Sequence, residues 1–195
     1  MSIESQHQRV LHIKNMVCPR CIMVVQEELE KLGLHVLEVT LGVAAVGENA
    51  EVDEATIEAV LAKKGFELLH DKREELIESI KVAVIQLIYS EEISSLTTNV
   101  STYLADKLGK DYSTISTTFK ACEGIALSRY IVVQKVERIK ELLTYDELSL
   151  SAVAAKLGYK SLQHMSRQFK EVTGITLNKY KNEGGTDRRT IDNLY

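Results

Sequence analysis

Proline is almost missing from this chain: Pro19 is the only one in 195 residues. Cysteine is scarce as well, with Cys18, Cys21 and Cys122 alone. Three cysteines, two of them close together, argue against a secreted disulfide framework, and a reducing cytoplasm is the expected setting. No stretch reaches the roughly 20 apolar residues that a membrane span needs. Even Ile80–Tyr89 is interrupted by Lys81 and Gln86. The first residues are polar with no apolar run behind them, so no signal peptide is expected. No Ser-His-Asp set, phosphate loop or paired-carboxylate site stands out, and the chain is not read as an enzyme.

An excess of positive charge is also lacking. The net charge of −4 argues against a nucleic-acid partner until it is divided along the chain. Residues 105–182 hold 13 Lys+Arg against 8 Asp+Glu, a balance of +5, whereas residues 1–90 hold 9 against 15, a balance of −6. An acidic front and a basic back fit two domains, the basic one placed near DNA. The length allows one large domain or two small ones. Apolar content of 45% and charged content of 27% are those of a soluble globular chain.

What is present is a repeat. Ile115-Ser-Thr-Thr-Phe-Lys-Ala-Cys-Glu-Gly-Ile-Ala-Leu-Ser-Arg-Tyr130 matches Met165-Ser-Arg-Gln-Phe-Lys-Glu-Val-Thr-Gly-Ile-Thr-Leu-Asn-Lys-Tyr180 at a constant offset of 165 − 115 = 50. The shared skeleton, S-x-x-F-K-x-x-x-G-I-x-L-x-x-Y, is too long for coincidence of composition. The segments before it match as Leu104–Gly109 and Val153–Gly158 at an offset of 49, so the two turns differ by one residue. In the second copy Leu150, Val153, Ala154 and Leu157 share one helical face. Gly158 breaks that helix, Ser161 caps the next, and Met165, Phe169 and Val172 form its apolar stripe. Two short helices joined by a turn containing Gly make a helix-turn-helix pattern. The second helix turns Gln163, His164, Arg167 and Lys170 away from the core, where they can reach bases or phosphates. Cys122, at the Val172 position, is expected to be a small buried hydrophobe.

The helix expected over Ser128–Tyr145 separates the copies and, at about 1.5 Å per residue, spans roughly 27 Å. That length can hold two reading helices about one DNA turn, on the order of 34 Å, apart. The paired motif, with Gln134-Lys-Val-Glu-Arg-Ile-Lys-Glu-Leu-Leu143 between its copies, resembles the AraC/XylS DNA-binding domain over about Asp71 to Lys181. The resemblance implies that the second helix of each motif enters the major groove of promoter DNA. It places Gln163 and Arg167 against bases, with Ser161, His164 and Lys170 nearby. The corresponding first-copy residues are Ser113, Ser116 and Thr117, with Lys120 near the backbone. RNA polymerase and a second copy of the chain are further expected partners. Arg pairs bidentately with guanine and Gln with adenine, whereas Ser and Thr select less sharply. Most base discrimination is therefore expected from the second motif. Leu177 stands where the family usually has Pro, which alters a turn but no groove-facing residue.

The front reads differently. Arg9–Asn15 alternates as a strand, a helix over Ile22, Val25, Leu29 and Leu32 ends at Gly33, and His35–Leu41 and Val43–Val46 form a second and third strand. A helix over Asp53–Lys64, capped by Asp53, precedes a short strand at Phe66–Leu69. The order βαββαβ implies a ferredoxin-like sandwich, so the whole chain is an α+β fold with an all-α back. Domains are expected at 1–70 and 71–182, with residues 183–195 as a disordered tail.

Between the first strand and the first helix stands Met16-Val-Cys18-Pro-Arg-Cys21. A strand-loop-helix can bring two thiolates onto one ion, and a helix N-terminus lowers thiol pKa values. Soft thiolates favour Cu(I) and Zn(II), but two cysteines cannot close a four-Cys site. Met16 is read as core, His12 as a strand residue too far along the chain to be taken as a ligand, and His35 and His70 as surface or strand-edge residues. Val10–Leu69 resembles the heavy-metal-associated domain of copper chaperones and metal-pumping ATPases, through Met16–Cys21 and Lys63-Lys64-Gly65-Phe66. Asn15 replaces that family's usual Gly before Met16. A thioredoxin-like fold is set aside, because that family carries a second, cis proline that this chain lacks.

The resulting expectation is a transcription regulator that binds DNA through its back and responds to a thiophilic metal ion, or to thiol oxidation, through Cys18 and Cys21. Two alternatives stand beside it. One is a metal carrier or thiol-exchange protein; the other is a DNA-binding regulator whose front domain is only structural.

Overall fold

The computed structural model describes residues 8–47, 51–90, 92–144 and 148–182. The chain divides into two compact units, 1–82 and 83–195.

The first unit opens with β1 (Gln8–Lys14), in which Leu11 and Ile13 are buried while Val10 is exposed. This is the period of two that a half-covered strand shows. Then follow α1 (Pro19–Lys31), β2 (Val36–Thr40), β3 (Val43–Gly47), α2 (Glu54–Ala62) and β4 (Glu67–Leu69). Pro19 occupies the first turn of α1, where its missing N–H costs no hydrogen bond. Asp53 caps α2 by accepting the Thr56 N–H at 2.9 Å. The sheet order is β2-β3-β1-β4, with antiparallel neighbours throughout. Leu11 and Ile13 of β1, Val25 and Leu29 of α1, and Ile57 and Leu61 of α2 close one core, which also holds Met16. This is the βαββαβ sandwich expected from the alternation of strand and helix patterns.

α3 (Lys72–Tyr89) begins one residue after Asp71, and the division between units falls inside it. The sequence pattern assigns α3 one apolar side. The structure buries Ile77, Val82 and Ile85 as well as Ile80, Val84 and Leu87, so the helix is covered nearly all round. Glu78 is buried with them, at 8% exposure.

The second unit continues with α4 (Glu92–Ser95), α5 (Val100–Leu108), α6 (Tyr112–Glu123), α7 (Leu127–Thr144), α8 (Leu150–Lys156), α9 (Leu162–Thr173) and α10 (Leu177–Asn182). The repeat survives in three dimensions. Ile115 and Met165 are fully buried, as are Phe119 and Phe169. α6 ends on Gly124 and α9 on Gly174, both left-handed, with their N–H groups donating to the Lys120 and Lys170 carbonyls. Phe119 then meets Tyr130 with ring centroids 5.1 Å apart, and Phe169 meets Tyr180 at 5.4 Å. α7 packs against both α6 and α9.

Cys122 differs from expectation: it is exposed. The buried stripe of α6 runs through Ile115 and Phe119 and stops there. Past it, Gly124 turns the chain, and Leu127 and Tyr130 take the next core positions. Tyr145, the expected end of the helix between the motifs, and the expected disordered tail both lie outside the described residues. Among the described residues, no helix is long and apolar enough to cross a membrane.

Candidate functional site

Each motif presents one exposed face on its second helix. In α6, Ser113, Thr117 and Lys120 are exposed, and Ser116 is half-buried, its hydroxyl donating to the Ser113 carbonyl at 3.2 Å. In α9, Gln163, Arg167 and Lys170 are exposed at the equivalent positions. The spacing i, i+4, i+7 keeps each trio on one side, opposite the buried Ile115–Phe119 and Met165–Phe169 stripes. Arg167 is committed to little: its Nε lies 3.8 Å from Glu171 on the same exposed face. Such a pair contributes between nothing and about 1 kcal/mol. The first face carries a single cation, Lys120, and the second carries two, Arg167 and Lys170.

Capping fixes how these helices begin. Asn99 accepts the Thr102 N–H at 2.8 Å to start α5, and Ser149 accepts the Ala152 N–H at 3.2 Å to start α8. Ser161 accepts the His164 N–H at 3.2 Å to start α9. Its hydroxyl therefore serves the helix terminus, in the role expected of it as a cap. Asp111, which precedes α6, makes no such side-chain bond.

The second turn holds residues that sequence reasoning missed. Tyr159 is buried at 9% exposure, and the His164 ring meets it edge-on at 5.5 Å. Lys135 of α7 places Nζ 4.8 Å from the same ring. Burial pushes the Tyr159 hydroxyl up to about 12 and lowers the Lys135 ammonium. His164 is thus half-buried and packed, unlike its freer neighbours Gln163 and Arg167. Gly158, at φ +66°, opens this turn, and a Cβ there would lie 2.7 Å from the Ile93 carbonyl oxygen. The signal for this turn was the shift of repeat offset from 49 to 50, which marks one extra residue.

The second candidate site is the thiol pair. Cys18 is the N-cap of α1 and Cys21 lies in its first turn, with Sγ···Sγ 3.5 Å apart and both half-buried. That separation is within what two metal–sulfur bonds of about 2.3 Å can bridge, so one ion fits the sulfurs as they stand. Burial pushes the Cys18 thiol up. The backbone N–H and thiol of Cys21, the backbone N–H of Arg20 and the Arg20 charge outweigh it, and together hold Cys18 below its usual range. Met16 is fully buried in the core. His12 faces Glu75 at 3.6 Å and His70 faces Glu54 at 2.7 Å, so both engage carboxylates of their own surroundings. Among the described residues, no group of three or more Cys, His, Asp or Glu could hold an ion. Among the described residues, Cys18 and Cys21 alone would therefore hold such an ion. Alkylation of Cys18 in the intact reduced chain, followed by peptide mass spectrometry across pH, should show a midpoint below that of a cysteine in an unstructured peptide. An equal or higher midpoint would contradict this electrostatic account.

Asn15, where the heavy-metal-associated family has Gly, is the one described non-glycine residue at positive φ, +73°. Asn enters the left-handed region more readily than most residues, so it suits the backbone turn that leads into Met16.

Residues 104–183 match the family model described as a helix-turn-helix domain. An HTH-type transcriptional regulator of Bacillus subtilis (strain 168), named YtdP and described as uncharacterized, is 30% identical over 100 residues, 51% of this chain and 13% of that protein. The F1 operon positive regulatory protein of Yersinia pestis is 34% identical over 64 residues, 33% of this chain and 21% of that protein. The chain thus spans 13% and 21% of the length of these relatives. Among solved structures, the DNA-binding domain of AdpA in complex with a target DNA is similar at 20% identity and a TM-score of 0.44, over 58% of this chain and 93% of that one.

Proposed function

We infer, from a C-terminal half that carries an AraC-family helix-turn-helix domain, that this chain is a sequence-specific DNA-binding transcription regulator. Its βαββαβ unit responds to a thiophilic metal ion, Cu(I) or Zn(II), or to thiol state, at Cys18 and Cys21. The observation that supports the DNA reading best is the pair of α6 and α9, which present equivalent exposed trios on helices held by the same core and the same Gly ends. The partner is double-stranded promoter DNA, with RNA polymerase and a second copy of the chain as further partners. The reading assigns the chain no reaction.

Within this reading the two motifs divide the work. Arg167 and Gln163 read base edges, because guanidinium and amide groups each match one purine with two hydrogen bonds. Lys170 and Lys120 hold phosphates, and Ser113, Ser116 and Thr117 give the first motif a weaker, less selective grip. Ser161 sets the start of α9, and His164 is steadied by Tyr159. Cys18 and Cys21 would hold the ion as thiolates, and the ion would supply a fixed link in place of their two protons.

Selection from a random duplex library at fixed salt tests the DNA reading. The wild-type chain should enrich a motif. Arg167→Ala should lose about 1–3 kcal/mol of specific affinity and relax the preference at one base pair. An equal loss on specific and non-specific DNA would make Arg167 a phosphate contact only. No enriched motif at all would favour a metal carrier.

A further inference from the structure

We propose that the hydrogen bond from the Asn15 backbone N–H to Glu78 couples the Cys18–Cys21 loop to α3, and that the state of the thiol pair reaches the helical unit through it. The proposal rests on the sensing reading above and names its route.

Asn15 stands at the end of β1, three residues before Cys18. Both of its nitrogen donors are engaged: the backbone N–H donates to Glu78 Oε1 at 3.1 Å, and Nδ2 donates to the Gly65 carbonyl at 3.0 Å. The loop that carries the thiols is therefore held from two sides, by α3 and by the turn after α2. Glu78 is 8% exposed. A buried carboxylate strengthens every hydrogen bond it accepts and makes the loss of one costly. Movement of the loop away from α3 breaks this hydrogen bond.

The neighbouring turns of α3 follow the same track. Glu75 Oε2 lies 3.6 Å from His12 Nε2 on β1. A Cβ on Gly42, in the β2–β3 turn at φ +81°, would lie 3.3 Å from a Val82 methyl. Residues 75, 78 and 82 form one stripe of a helix, at the i, i+3, i+7 spacing. That stripe touches the strand, the thiol loop and the hairpin of the first unit, while Ala83–Tyr89 of the same helix belong to the second. A helix whose residues belong to both units is the kind of element through which coupling can travel. An ion closing on Cys18 and Cys21 shifts the helical unit only as far as the loop–α3 contact differs between the free and bound states.

The test uses the full chain, Zn(II) alone as the probe, and a duplex carrying the motif that the chain selects. DNA affinity is measured with and without Zn(II), and Zn(II) affinity with and without duplex. Linkage requires the two ratios to agree, and a coupled wild-type chain should give about fivefold or more. Glu78→Gln keeps an acceptor and should keep most of the ratio. Asn15→Gly keeps the N–H and the left-handed backbone, and should keep it too. Glu78→Leu accepts nothing and should bring both ratios to within about twofold of one while Zn(II) still binds. A wild-type ratio retained in Glu78→Leu overturns the route but leaves sensing intact. A ratio of one in the wild type overturns the sensing reading and the route with it. Should Glu78→Leu fail to fold, hydrogen exchange at the Asn15 amide of the wild type decides. Protection that changes on adding Zn(II) supports the route, and unchanged protection overturns it.

Discussion

Glu137→Ala is expected to lower the unfolding free energy of the helical unit by about 3–5 kcal/mol. Glu137 and Lys140 sit on α7, 6% and 4% exposed, with Lys140 Nζ donating to Glu137 Oε1 at 2.8 Å. Removing the carboxylate leaves a buried ammonium unpaired, and that stranded charge accounts for most of the loss. Replacing both partners by apolar residues of similar size removes the charge as well. The double variant Glu137→Leu with Lys140→Met should therefore lie close to the wild type or above it. Urea unfolding followed by tyrosine fluorescence measures this cleanly. The chain has no Trp, and all eight Tyr lie at position 89 or beyond. The signal thus reports on the unit 83–195 alone. A single variant within about 1 kcal/mol of the wild type would show the pair to be a surface-like contact.

Phe169→Ala is the second large effect, about 3–5 kcal/mol in the same measurement. Phe169 is fully buried beneath the exposed face of α9 and meets Tyr180 edge-on at 5.4 Å. Its truncation removes a large apolar surface and leaves a cavity between α9 and α10. Under the DNA reading the consequence is functional too. At temperatures where the variant remains folded, α9 should present Gln163 and Arg167 less firmly, and specific affinity should fall more than non-specific affinity. Phe119→Ala, its counterpart beside Tyr130, should cost similar stability but less discrimination, because Ser113 and Thr117 select weakly. Equal losses of discrimination from the two substitutions would contradict that division of labour between the motifs.

The helical repeat was legible because its core residues are spaced by the helix itself. Phe119 and Phe169, Gly124 and Gly174, and Tyr130 and Tyr180 recur at one offset, and each pair plays one structural role. The front sandwich was legible for the same reason, since Leu11 and Ile13 alternate with His12 and Lys14 and Val25 and Leu29 are one helical turn apart. What escaped was set by tertiary context. The burial of Glu137, Lys140 and Glu78 leaves no mark in the local pattern, because local sequence does not say that a helix is covered on every side. Cys122 was misread because the repeat equates it with Val172, which is itself only half-buried. Tyr159 packs beneath Lys135 and against His164, and only the one-residue offset hinted at that turn. For the thiol pair, the motif located the strand-to-helix turn, whereas the start of the helix at Pro19 with Cys18 as its N-cap is seen only in the structure. The contact of Asn15 with α3 joins residues 63 positions apart and left no trace in local pattern.

The central claim is that the thiol pair and DNA binding are linked in one molecule. The most direct measurement is the affinity of the full chain for its selected duplex in three states: reduced and metal-free, loaded with Zn(II), and oxidised by oxidised glutathione. In the last state Cys18 and Cys21 become a disulfide as two glutathione thiols are released. The same series is run on the Cys18→Ser, Cys21→Ser double variant. The account predicts an affinity that changes by about fivefold or more in at least one state of the wild type, and in none of the variant. A wild-type chain that selects its motif with the same affinity in all three states would contradict it, and would leave the front unit a structural companion of the DNA-binding half.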